Sequence, residues 1–134
     1  MLLLLSGQYF SFNKVYINEY KLNFGDRSRC EYVQQAILDY QTKTNNEINK
    51  IAFYHDASVS YPFYQGLDYN GDFSVSSFYT SWSDLAAINY YTKMNYEKTV
   101  CEQKYIDYFS EKDWSELSQE QFIFEGDTLH LCVY

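Results

Sequence analysis

Five glycines and one proline are the only strong backbone punctuation in this 134-residue chain. Glycine supplies left-handed conformations and close backbone approaches, and proline presets turns. With so few glycines, neither the dinucleotide fingerprint nor the phosphate-cradling P-loop can be written. The commonest nucleotide-binding enzymes are therefore excluded. The glycines also mark where turns are expected: Gly25-Asp26, Asn70-Gly71 and Glu125-Gly126-Asp127.

The chain is rich in aromatic side chains instead, with 16 Tyr and 10 Phe. So many aromatics with so little proline indicate a folded chain, not a disordered one. The length suits one domain over residues 1–134, able to bury roughly two thirds of its unfolded surface. Cys30, Cys101 and Cys132 are too few, and odd in number, for a disulfide scaffold. They read as reduced, buried thiols of a cytoplasmic protein. Met1–Leu5 is too short for a signal peptide or a membrane span and reads as a buried first strand.

The formal net charge is −8, which disfavours direct nucleic-acid or anionic-membrane binding. That charge is unevenly placed. Residues 1–67 hold six basic and six acidic side chains, whereas residues 68–134 hold four and twelve. Within 102–127, eight acids face only Lys104 and Lys112.

The local pattern predicts an α+β fold: a small domain with a mainly antiparallel sheet and three to four helices. Leu2–Leu5 and the aromatic, partly alternating stretch Tyr9–Phe24 predict strands, with a turn near Asn13-Lys14. Ser28-Arg29-Cys30-Glu31 matches a capping box, followed by Val33, Ala36, Ile37 and Tyr40 at helical spacing. Ile48–Tyr54 predicts a strand, and Asn70-Gly71 a type I′ hairpin. Ser81-Trp82-Ser83-Asp84 opens a helix striped by Leu85, Ile88, Tyr90 or Tyr91, and Met94. A further helix is expected over Tyr96–Phe109, with Val100, Cys101, Tyr105, Tyr108 and Phe109 inward. Asp113–Glu116 caps a short helical turn, and the chain ends in a hairpin over Phe122–Val133.

Few residues carry the marks of site chemistry. Asp68–Asp72 begins like a calcium loop, but Phe73 and Tyr79 occupy the positions where Gly and Glu belong. His130 and Cys132 share one strand face, yet two ligands do not make a zinc site without a third and fourth from His55, Cys30, Cys101 or a carboxylate. They read as half-buried residues of an outer sheet face. His55-Asp56 offers a base and a carboxylate, but neighbours on a strand point to opposite faces. No metal and no cofactor is expected, and no catalytic motif surrounds any Ser or Cys.

The acids and tyrosines point to a binding protein. Tyr32, Tyr40 and Tyr105 suit core positions, while a surplus gathers around residues 61–96. Tyrosine is stiff and amphipathic, and it is enriched at interfaces. Fixed carboxylates imitate nucleic-acid phosphates and attract the same Lys and Arg. The expected function is an inhibitor that occupies the basic, nucleic-acid-binding cleft of a protein partner. The expected contacts are Glu102, Asp107, Glu111, Asp113, Glu116 and Glu120, with Tyr90, Tyr91, Tyr105 and Trp114 alongside. In size, charge and aromatic content the chain resembles phage-encoded nucleic-acid mimics such as anti-CRISPR and anti-restriction proteins. An immunity protein or antitoxin against a basic toxin uses the same physics. A small enzyme or ligand-binding protein with an aromatic pocket, using His55, His130 and a Cys, is the third expectation.

Overall fold

The computed structural model describes residues 2–56, 76–78, 80–114 and 118–133. They form an α+β fold in which a four-stranded sheet lies between helices. The strands are β1 (Lys50–His55), β2 (Glu97–Thr99), β3 (Phe122–Glu125) and β4 (Thr128–Val133), in the order β2-β1-β4-β3. The helices are α1 (Leu2–Thr44), α2 (Asp84–Thr92) and α3 (Gln103–Ser110), with a 3-10 turn over Gln119–Gln121.

Alternation along the strands sorts two cores. Ile51, Phe53, Leu129, Leu131 and Val133 pack with Cys30, Val33 and Ile37 of α1 and Ala87 and Ile88 of α2. The intervening positions Ala52 and Cys132 pack with Phe109 of α3 and Trp114, and Tyr54, Tyr105 and Ile123 join them. Each fully buried aliphatic side chain contributes about 1.5–3 kcal/mol. Tyr54 stacks on Phe109 at 5.6 Å between ring centroids, and the Trp114 indole N–H donates to the Phe109 carbonyl at 2.8 Å.

Three expectations need correction. The first concerns the N-terminus, where Leu2–Leu5 and Tyr9–Phe24 belong to one continuous helix of 43 residues, about 65 Å long, and not to strands. The alternation in that stretch breaks at Val15, Ile17 and Lys21. By contrast, buried Leu22, Asp26, Arg29, Val33 and Ile37 keep one helical face from well before Ser28. Gly25-Asp26 lies inside this helix. Asp26 accepts hydrogen bonds from the Ser76 hydroxyl and the Ser77 amide at 2.7 and 2.8 Å, which anchors α1 to the segment ahead of α2.

Second, the sheet is mixed. β1 runs parallel to both β2 and β4, and only the β3–β4 hairpin is antiparallel. Parallel neighbours need a crossover, and α2 lies between β1 and β2 in the chain. β2 escapes a sequence reading because it has only three residues, two of them exposed and charged. It occupies the start of the stretch expected to be helical from Tyr96, so α3 is shorter than expected.

Third, His130 and Cys132 share a face as expected, but that face is covered by α3. Both side chains are buried, not half-exposed. The C-terminal hairpin forms at its expected place, with Gly126 at φ +59° in its turn. The Asn70-Gly71 hairpin and the calcium-loop positions Asp68–Phe73 and Tyr79 lie outside the described residues. Among the described residues, no helix is long and apolar enough to cross a membrane.

Candidate functional site

The acidic segment is displayed on one side of the sheet. Glu102, in extended conformation, precedes α3, and its carbonyl accepts from the Tyr105 and Ile106 amides. The helix then turns Tyr105, Ile106 and Phe109 inward, leaving Asp107 and Glu111 exposed. Asp113, Glu120 and Glu125 are also exposed. Two lysines partly balance these acids. Lys104 Nζ lies 2.8 and 2.9 Å from the Glu125 oxygens and 3.4 Å from Glu102. Lys112 Nζ lies 2.7 Å from both Glu120 and the Tyr108 hydroxyl.

A mixed polar cluster joins α3 to the hairpin. Tyr105 donates its hydroxyl to Glu125 at 2.7 Å, and its ring lies against His130 with centroids 3.8 Å apart. One oxygen from each of Glu102 and Glu125 and one ring nitrogen of His130 all lie within 4.8 Å of one another. His130 Nδ1 approaches the Cys101 sulfur at 4.0 Å, a weak contact. The hydrogen bonds from Lys104 and then Tyr105 hold the Glu125 carboxyl below its ordinary range. Burial pushes the His130 imidazole below its ordinary value, against the opposing pull of Glu102 and Glu125.

A second constellation sits at the carboxyl end of β1. Asp84, at the start of α2, is fully buried, and Lys98 of β2 reaches both of its oxygens at 2.8 Å. The same ammonium also donates to the Ser81 carbonyl and lies 4.9 Å from the centre of the Phe53 ring. His55 Nε2 lies 3.3 Å from Asp84, off the alignment of a good hydrogen bond. The carboxylate that approaches His55 comes from Asp84 of α2, 29 residues away in sequence. Burial pushes the Asp84 carboxyl up, but His55, Lys98 and the Leu85 amide outweigh it and hold the group below its ordinary value.

The expected contact residues do not all come together. Glu102, Asp107, Glu111, Asp113 and Glu120 are exposed on or beside α3, with Tyr105 half-buried among them. Trp114 is only 2% exposed and belongs to the core under α3. Tyr90 and Tyr91 lie on α2, across the sheet from the acids, where Tyr90 is exposed and Tyr91 half-buried. Glu116 lies outside the described residues, as do Tyr61, Tyr64, Tyr69 and Tyr79 of the tyrosine surplus.

Three participants escaped the sequence reading. The sequence marks Glu125 only as a turn residue, Asp84 as a helix-capping residue and Lys98 as part of a helix. Their only sequence signal is charge next to an element boundary, which is common on any surface.

No family model matches this sequence, and neither a curated protein nor a solved structure gives a match.

Proposed function

We propose that the chain is a protein-binding inhibitor whose α3 face occupies the basic, nucleic-acid-binding cleft of a partner protein. The observation that carries this reading is the outward display of six carboxylates on α3 and its flanks against only two lysines. Both lysines already hold carboxylates or tyrosine hydroxyls, so the face as a whole stays negative. Asp107 on α3 and Glu111 at its C-cap stand four apart, where like charges repel and a cation from outside relieves them. Half-buried Tyr105 and Tyr108 lie beside the acids as rigid contact surface. A phage-encoded mimic and an antitoxin are both bearers of such a face.

The test is a pull-down from bacterial lysate at low and high salt, with the wild-type chain and with Asp107→Lys/Glu111→Lys. The captured protein is then assayed for nucleic-acid binding. Capture should be lost at high salt and in the variant, and the captured protein should release nucleic acid when the chain is added. Capture that ignores both salt and charge reversal overturns the reading.

A second reading rests on the His55–Asp84 approach of 3.3 Å at the carboxyl end of parallel β1. That end of parallel strands is where ligands gather in α/β sheets. It favours a small enzyme using His55 as base. His55→Ala would then abolish turnover while the α3 charge reversal leaves it intact. The opposite pattern sinks this reading.

A further inference from the structure

We infer that Glu102, Glu125 and His130 form a binding site for a divalent transition-metal cation, with Zn²⁺ as its best match. The inference does not depend on the protein-binding reading. Three elements bring the donors together: the residue ahead of α3, the end of β3, and the middle of β4. Their donor atoms lie within 4.8 Å of one another. Tetrahedral bonds of about 2.0–2.2 Å set donors about 3.5 Å apart, so the two exposed carboxylates must rotate inward by about an ångström to close on one ion. The donor set is one imidazole and two carboxylates. Imidazole selects zinc and its neighbours over magnesium and calcium, and three protein ligands leave a position open for water.

Two further observations point the same way. His130 is 1% exposed, yet the only hydrogen-bond partner it has among the described residues is the distant Cys101 sulfur. A buried imidazole so poorly paired, with a ring nitrogen facing two carboxylates, is poised to donate to a cation. A cation is also already held there, because the Lys104 ammonium sits against both carboxylates. It reaches them on a long stem that is half exposed, so it can swing aside into water. Lys104 thus acts as a displaceable stand-in for the metal, and removing it should improve binding. Tyr105, against the ring of His130 and hydrogen-bonded to Glu125, fixes both donors in the manner of an outer-shell residue.

The test titrates ZnCl₂ into the full chain by calorimetry, with imidazole resonances followed by NMR in parallel. The chain has only two His, so the ring that responds identifies the site. Zinc should bind with one-to-one stoichiometry, shifting His130 and leaving His55 unmoved. Lys104→Met should tighten binding. Glu102→Gln/Glu125→Gln, at two exposed positions, should weaken it about tenfold or more. Unchanged thermal unfolding without metal would show that the double variant is folded. The inference is overturned if neither wild type nor Lys104→Met binds zinc, if the double variant binds it equally well, or if the shifted ring is His55. Binding through Cys30, Cys101 or Cys132 alone would appear as that insensitivity to the double variant.

Discussion

Lys98 grips both carboxylate oxygens of Asp84 at 2.8 Å, and in doing so ties β2 to the first turn of α2. Asp84 has no water to turn to, since its side chain is 1% exposed. Lys98→Met should therefore leave a buried carboxylate with only His55 and the Leu85 amide, costing about 2–3 kcal/mol. The double variant Lys98→Met/Asp84→Asn removes the uncompensated charge and should lie closer to wild type than Lys98→Met alone. Urea unfolding of wild type, Lys98→Met, Asp84→Asn and the double variant measures this. Simple addition of the single effects would contradict it.

The same pair sets an acid limit on stability. Asp84 titrates below its ordinary value in the folded chain, so the unfolded chain takes up a proton first as pH falls. Its contribution is complete above the ordinary value of 3.8 and is lost as pH drops through the lower folded value. Melting temperatures from about pH 5 down to about pH 2 should fall for wild type and fall less for Lys98→Met. Parallel curves would show that Asp84 is not responsible.

His130 gives a slope in a different range. Burial depresses its folded pKa below 6.5, so below that pH the unfolded chain binds the proton and the folded chain does not. Stability should decline as pH falls below 6.5 and level off once the folded ring titrates. Lys104→Met removes a nearby positive charge and should raise the His130 titration midpoint, as followed by NMR. A midpoint at or above 6.5 in wild type would refute the burial argument.

The elements legible in the sequence were those whose signals are local. Gly126 marked the C-terminal hairpin, and alternation correctly put Leu129, Leu131 and Val133 opposite His130 and Cys132. The long α1 is hidden because aromatic residues favour strands intrinsically, whereas its helical face is set by contacts of Leu22, Arg29 and Val33 with distant parts of the chain. The acidic display on α3 was visible as a count of charges. Pairing was not: Glu125 meets Lys104 across 21 residues and Asp84 meets Lys98 across 14, and only the crossover topology brings them together.

The two tryptophans should separate by fluorescence. Trp82 is 81% exposed, whereas Trp114 is buried against Phe109 with its N–H on a carbonyl. Trp82→Phe should leave a blue-shifted emission that resists acrylamide quenching. Trp114→Ala should cost about 3–5 kcal/mol, from lost burial and an unfilled cavity under α3. A red-shifted, readily quenched Trp82→Phe protein would refute the burial of Trp114.

Gly126 separates backbone strain from crowding in the hairpin turn. Its φ is +59°, where a side chain is disfavoured, yet a Cβ there would meet nothing within 4 Å. Gly126→Ala should therefore cost only the left-handed backbone penalty, about 1–2 kcal/mol, with no added clash. Gly126→Asn should cost less, because Asn tolerates this conformation. The turn also reaches β1, since the Asp127 carbonyl accepts the Asn49 and Lys50 amides at 2.9 and 3.1 Å. A variant that shifts the turn instead of straining in place should lose amide protection at Asn49 and Lys50 as well as in the hairpin. Hydrogen exchange reads this directly. Destabilisation of Gly126→Ala equal to that of Gly126→Asn, with protection at Asn49 and Lys50 unchanged, would show that neither φ nor the Asp127 link governs the turn.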